Sequence, residues 1–278
     1  MSAISNTNSH LTAAAIIAKL NSGESLVATD LSQLDLYAIA LADANLERVN
    51  LSGTTLTNGD LRGANLSSAN LQQADLRGAD LSNANLSNAN LRAAYLTRTD
   101  LRNCNLSGAN LEDTKFTVAI YNDKTIFPEG FNYKTSGAIG PGAILNGTYL
   151  NTVNLRGVDL TGARMMGAYL SGADLTGAIL DDVSLSGANL QKAILTGASL
   201  RKARLVNVEL KGADLRATDL TDAILDNLQN IAGADFTMAR GLSDRIRDNL
   251  FSFPAQDLTT WNPYTRCNTK DSLTLTLN

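Results

Sequence analysis

Ala64-Asn65-Leu66-Ser67-Ser68-Ala69-Asn70-Leu71-Gln72-Gln73-Ala74-Asp75-Leu76-Arg77-Gly78 states one five-residue phrase three times. The beat extends in both directions. From Leu26 through Leu31, Leu36, Leu41 and onward to Phe116, a leucine, or phenylalanine at the last step, falls on every fifth residue, and the same period returns from Leu145 to Leu225. On an α-helix, residues five apart are rotated by about 140°, so the leucines would share no stripe. On a straight strand they would alternate between faces. The period requires a chain that turns a corner every five residues, always in the same sense, with the leucine and the residue two places before it pointing inward. Four corners complete one coil, so residues twenty apart stack in columns about 4.8 Å apart. The narrow inner slot takes Ala69, Ala74, Ala79, Ala84 and Ala89, and elsewhere Thr54, Thr99, Cys104 and Val153, all of them small. Gly63 and Gly78, two places after a leucine, mark corners where a type II turn needs a positive φ that Gly or Asn supplies without strain.

Units such as Ala74-Asp75-Leu76-Arg77-Gly78 and Ala173-Asp174-Leu175-Thr176-Gly177 resemble the A(D/N)LXX pattern of the pentapeptide repeat proteins. The resemblance covers roughly residues 24–118 and 143–236. It implies an all-β solenoid, a right-handed quadrilateral β-helix. The expected organisation is an N-terminal capping segment over 1–23, a first repeat stack over 24–118, an interrupting loop over 119–142, a second stack over 143–240, and a capping helix with tail over 241–278. Ser9 or Thr12 is placed to start a helix through Leu20, with Ile16, Ile17 and Leu20 on one face and Gly23 after its end. Ser243 is a good N-cap for a second helix carrying Ile246 and Leu250, ended by Pro254. In the tail, Leu273, Leu275 and Leu277 alternate as in a strand.

The interruption has its own composition. The interval from Phe116 to Leu145 falls one position short of six units, so the register changes across it. Between them lie Tyr121, Phe127, Phe131 and Tyr133, together with Pro128, Gly137, Gly140, Pro141 and Gly142. Inserts reading like Tyr121-Asn122 followed by Thr125-Ile126-Phe127-Pro128-Glu129-Gly130-Phe131 recur in cyanobacterial members of the resembled family. Two readings stand: the aromatics fold back and close the seam between two stacks, or they project as a contact surface. A smaller slip follows Leu225, where six residues lead to Ile231; the extra residue reads as a bulge.

Chemistry-bearing residues are sparse. The 278 residues hold 23 Lys and Arg against 27 Asp and Glu, a net charge of -4, which gives no basis for a direct nucleic-acid or membrane partner. The lone His10 has no cysteine near it in sequence, and Cys104 and Cys267 are remote from each other, so no metal site, no cofactor site and no disulfide are expected and a reducing, cytoplasmic compartment fits. Residues 13–18 are too short an apolar run to span a bilayer and follow no basic segment, which argues against a secretory signal. Asp60, Asp80 and Asp100 are twenty apart and should stack as an acidic ladder; Asp159 and Asp219 share another column. Two unit charges about 4.8 Å apart in water repel by just under about 1 kcal/mol, which Arg62 and Arg102 can offset. Paired acids need an enclosed pocket to act as acid and base, and a convex coil offers none, so no catalytic residue is assigned. The expected function is a non-catalytic scaffold for a protein partner, with Tyr121, Phe127, Phe131, Tyr133, Trp261 and Tyr264 as contact candidates and a coil end or the tail open to homodimer formation. The resemblance also implies an alternative, because some family members mimic DNA and modulate topoisomerases such as gyrase.

Overall fold

A computed structural model describes residues 12–275. The chain divides into two compact units, Met1–Ile139 and Gly140–Asn278. In the first, parallel β-bridges join residues twenty apart in four columns. They run Asn45–Asn65–Asn85–Asn105, Asp30–Asn50–Asn70–Asn90–Asn110, Asp35–Thr55–Asp75–Tyr95–Lys115 and Ala40–Asp60–Asp80–Asp100–Ile120. Each five-residue side carries its leucine inward: Leu31 to Leu106 are at most 1% exposed, as are Ala64 to Ala89 at the neighbouring inner slots.

The hydrogen bonds of one side explain why Asn or Asp precedes the leucine. Asn65 N–H donates to Ala44 O (2.9 Å), Leu66 N–H to Asn85 O (2.7 Å), Ser68 N–H to Ser87 O (2.8 Å) and Ala69 N–H back to Leu66 O (3.0 Å). The remaining N–H, that of Ser67, donates to Asn65 Oδ1 at 3.2 Å. This side thus leaves no amide without an acceptor, and the Asx side chain supplies the one the backbone cannot. The amide groups also join between coils, Asn85 Nδ2 donating to Asn65 Oδ1 at 3.3 Å and Asn105 Nδ2 to Asn85 Oδ1 at 3.4 Å. On two sides that lack the Asx residue the previous coil provides it: Met166 and Ser171 N–H reach Asn146 and Asn151 Oδ1, each at 2.9 Å. Replacing Asn85 by Ala orphans the Ser87 N–H now bound at 3.1 Å and cuts the ladder. The expected cost is about 1–2 kcal/mol, read as a lowered thermal midpoint; an unchanged midpoint contradicts this accounting.

The corners hold a positive φ as expected, at Gly63 (64°) and Gly78 (69°) and also where the residue is neither Gly nor Asn: Arg48 (56°), Thr152 (57°), Lys192 (55°) and Met238 (61°). Arg48, Thr152 and Lys192 N–H donate to Ser67, Ser171 and Lys211 O of the next coil. The strain of a left-handed residue, about 1–2 kcal/mol, is therefore borne by a backbone already tied to its neighbour.

The segment expected to interrupt the coil is part of it. Ile120 bridges both Asp100 and Ile139, and Ile126 bridges Asn105. The first of these bridges keeps the regular step, the second is one position shorter and the third one longer. The five-residue beat is lost from the sequence while the backbone pairing continues. A 3₁₀ turn spans Tyr133–Thr135.

The second unit repeats the pattern from Ile144–Arg164 and Tyr149–Tyr169 onward. Its step lengthens by one position at Glu209–Asn230 and stays so through Asp219–Arg240, which locates the extra residue after Leu225. Helix α1 (Ala13–Asn21) starts at Thr12, whose side chain accepts from Ala15 N, and buries Ile16; α2 (Asp244–Phe251) starts at Ser243 and buries Ile246 and Leu250. Pro254 does not end α2, which stops at Ser252, but opens the short α3 (Ala255–Leu258). Strands β1 (Trp261–Asn262) and β2 (Cys267–Asn268) pair antiparallel and lead into α4 (Thr269–Leu275). The expected strand at Leu273 and Leu275 is therefore a helix: Thr269, Ser272 and Leu273, three and four apart, are the buried face. Leu277, Ser9 and His10 lie outside the described residues. The tail docks on the coils through Thr269 Oγ1 to Ile231 O (2.8 Å) and Phe236 N to Ser272 Oγ (3.1 Å).

Candidate interaction surfaces

In the first unit Asp60, Asp80 and Asp100 do form one column, but it is not a free acidic face. Arg62 Nη2 lies 2.6 Å from Asp60 Oδ2 and its Nε 3.9 Å from Asp80 Oδ2, bridging two coils. Arg102 forks onto Asp100, with Nε at 2.9 Å from Oδ1, and Arg77 onto Asp75 in the next column. The arginine stands two residues after the aspartate each time, which places both on the same side of the coil.

These forks shift titration. Hydrogen bonding from Arg62 holds the Asp60 carboxyl below the usual carboxylate range, and Arg77 does the same for Asp75. In the second unit burial opposes ionisation of Asp214, but hydrogen bonds from Arg216 and Thr196 outweigh it and leave the carboxyl lowered. Groups whose folded pKa lies below the unfolded value of about 3.9 stabilise the fold fully above that value and lose the contribution as pH falls through the folded one. Thermal midpoints should hold from neutrality to about pH 5 and fall below about pH 4, and Asp75→Asn should flatten that acid limb. An acid limb of equal slope in the variant contradicts the assignment.

The aromatic residues of 119–139 meet one another. Phe127 stacks on Tyr133 (centroids 4.6 Å, 5° between planes), and Tyr121 meets Phe127 (5.6 Å) and Tyr133 (5.3 Å) edge-on. Phe116, at the last beat of the leucine row, meets Phe131 at 5.4 Å. Tyr121 is 2% exposed and Phe127, Phe131 and Tyr133 are half-buried. Of the contact candidates in this segment, Tyr121 is thus a core residue and the other three hold the last turn of the coil together; Ile126, not singled out from sequence, is the exposed apolar residue.

In the second unit Phe236 is fully buried, whereas Tyr149, Tyr169, Trp261 and Tyr264 face outward. Trp261 and Tyr264 of the β1–β2 hairpin are 58% and 80% exposed. The hairpin is anchored by Asn262, whose Nδ2 donates to Gly233 O (2.8 Å) and Gly212 O (3.3 Å), and whose Oδ1 accepts from Tyr264 N (3.0 Å). Between its turn and the coil corner at Lys192 and Gly212 lie two adjoining clefts of about 420 and 220 Å³. A further surface was missed in the sequence: Tyr149 and Tyr169, twenty apart and both exposed, stack at 4.6 Å and 7° on consecutive coils. The column rule that stacked the aspartates was sufficient to find it.

Both cysteines are free thiols, and burial pushes the Cys104 thiol up. Among the described residues no group of three or more His, Cys, Asp or Glu side chains is placed to hold a metal ion, and no helix is long and apolar enough to cross a membrane.

The family model of pentapeptide repeats matches residues 44–83, 84–119, 142–172, 168–207, 184–222 and 203–240, more than half of the chain. Such repeats imply a right-handed quadrilateral β-helix. No curated protein matches the chain. Among solved structures, it is similar to HetL, a pentapeptide repeat protein involved in heterocyst differentiation regulation from the cyanobacterium Nostoc sp. strain PCC 7120. The identity is 29%, over 81% of this chain and 97% of that one, with a TM-score of 0.41. A pentapeptide repeat protein from the Arabidopsis thaliana thylakoid lumen is 30% identical over 49% of this chain and 91% of its own, with a TM-score of 0.44. QnrB1, a plasmid-mediated fluoroquinolone resistance protein, is 17% identical over 80% and 95%, with a TM-score of 0.33.

Proposed function

Because the chain belongs to the pentapeptide repeat family, we propose that it is a non-catalytic scaffold that binds another protein through the coil face and tail of its second unit. The observation that carries this reading is the exposed aromatic set Tyr149, Tyr169, Trp261 and Tyr264, set on hydrogen-bonded backbone. Large rigid side chains on a preformed surface give contact area at low entropic cost. Helix α1 and the docked tail act as end caps that keep coil edges from pairing with another chain. Two free thiols suit a reducing, cytoplasmic compartment.

The test is capture from lysate of the native source, comparing the intact protein with Tyr149→Ser/Tyr169→Ser and Trp261→Ser/Tyr264→Ser, each with an unchanged melting midpoint. Loss of a captured protein in at least one pair supports the reading. Equal capture by all three, or none by the intact protein, removes it. The DNA-mimicking alternative is disfavoured by the arginine forks on Asp60, Asp75 and Asp100, since DNA presents one charge per about 1.7 Å of axis. Inhibition or protection of a gyrase in a supercoiling assay would restore it.

A further inference from the structure

We propose that the two clefts beside Tyr264 take an extended acidic peptide, with two apolar side chains entering the clefts and its carboxylates meeting Lys192 and Lys211. The proposal rests on the scaffold reading and names the partner's chemistry.

Geometry gives the occupant its form. The clefts share Lys192, Gly212, Asn262 and Tyr264, so they adjoin. The larger, with Ile194 in its wall, is at the small end of the roughly 300–1,000 Å³ typical of ligand sites, enough for one bulky side chain with room around it. The smaller is flanked by Trp261 and Pro263. Residues i and i+2 of an extended chain point to the same side, about 6–7 Å apart, and so suit two neighbouring clefts as a single compact ligand does not. The turn that carries Tyr264 is already set: Arg266 N donates to Asn262 O at 2.9 Å, closing it, and Asn262 pins it to the coil. Little ordering is needed on binding. Gly212, in the wall the clefts share, sits at a positive φ of 68° and adds no side chain to it.

Charge gives the occupant its sign. The one carboxylate in the wall, Asp214, is held by Arg216 at 2.9 and 2.7 Å and by Thr196 at 2.9 Å, which neutralises both partners. Lys192 and Lys211 are exposed and, among the described residues, are in no ion pair. Two uncompensated ammonium groups beside an aromatic and apolar floor complement acidic residues alternating with apolar ones.

Trp261 is the only tryptophan of the chain and lines the smaller cleft, so its fluorescence reports occupancy directly. The probe is acetyl-Glu-Glu-Phe-Glu-Leu-Glu-amide, compared with the same peptide carrying Lys for every Glu and with N-acetylphenylalanine, titrated into the intact protein and into Lys192→Glu/Lys211→Glu. The double variant changes only exposed side chains and should keep its melting midpoint. Expected are a saturable change with the acidic peptide, affinity at least about tenfold weaker in the double variant, and preference for the basic peptide there. Equal affinity for both peptides, unchanged affinity in the double variant, binding of N-acetylphenylalanine as tight as that of the peptide, or no saturable change would each overturn the proposal. If the peptide fails while capture from lysate persists, the scaffold reading stands and the clefts are not its site; if both fail, the scaffold reading falls as well.

Discussion

Leu76→Asp should destabilise the first unit by more than about 4 kcal/mol and leave it unfolded under mild conditions. Leu76 is fully buried, with Leu56 and Leu96 at the same inner position of the coils on either side and Ala74 and Ala79 beside it, all at most 1% exposed. A carboxylate there has no donor to meet it, since the nearby N–H groups are already bound: Leu76 N to Tyr95 O (2.9 Å), Gly78 N to Thr97 O (3.0 Å) and Ala79 N to Leu76 O (3.0 Å). Leu180, 1% exposed, occupies the same position in the second unit, and Leu180→Asp should act on that unit in the same way. Asn88→Asp adds the same charge at an exposed corner and should change stability by no more than about 0.5 kcal/mol. Circular dichroism melts of the three variants make the comparison. Tolerance of both leucine changes would mean that the inward face is wrongly assigned.

Phe127→Ala should cost about 3 kcal/mol, within the range for removing a packed phenylalanine. Its ring meets Phe116 (6.4 Å), Tyr121, Phe131 (5.8 Å) and Tyr133, so truncation removes four aromatic partners at once. The distinction from a contact residue is sharp. A ring reserved for a partner would leave the melting curve nearly unchanged and weaken only binding, whereas a packed ring lowers the midpoint of the isolated protein. Replacing the whole of 119–139 by a flexible linker is, for the same reason, no clean test of binding: it would remove the bridges of Ile120, Ile126 and Ile139 with the rings.

The repeat was legible because one inner slot takes Leu almost throughout, with Phe116 and Met165 as exceptions, and its neighbour is mostly small, Ala above all. Steric size writes the period into the chain. Positions held by backbone bonds leave no such mark. The corner at Thr152 is left-handed because the chain must turn there, and its residue type gives no sign of it. Coil continuity through 119–139 was hidden for a related reason: the bridges Ile120–Ile139 and Asn105–Ile126, one position shorter and one longer than the regular step, keep the pairing while shifting the side-chain register, so the aromatics look like an excursion. In the tail, Leu273 and Leu275 suggested a period of two, but Thr269 and Ser272 bind coil backbone from one helical face, and that docking decides the conformation. The clefts were not legible at all. Lys192 and Lys211 lie in the coils and Tyr264 far along the chain in the tail, and only the docking of Asn262 on Gly212 and Gly233 brings them together.

That the aromatic segment belongs to the fold is tested most directly by amide hydrogen exchange across residues 117–139. Val118, Tyr121, Ile126 and Ile139 donate to Gly137, Ile139, Cys104 and Ala119 at 2.7–2.9 Å. Their exchange should be as slow as that of the regular coil amides of Asn85 and Leu86, with fast exchange confined to the neighbourhoods of the exposed Asp123, Glu129 and Lys134. Uniformly fast exchange from 119 to 139 would make the segment a free loop, return Phe127, Phe131 and Tyr133 to the surface, and contradict the account.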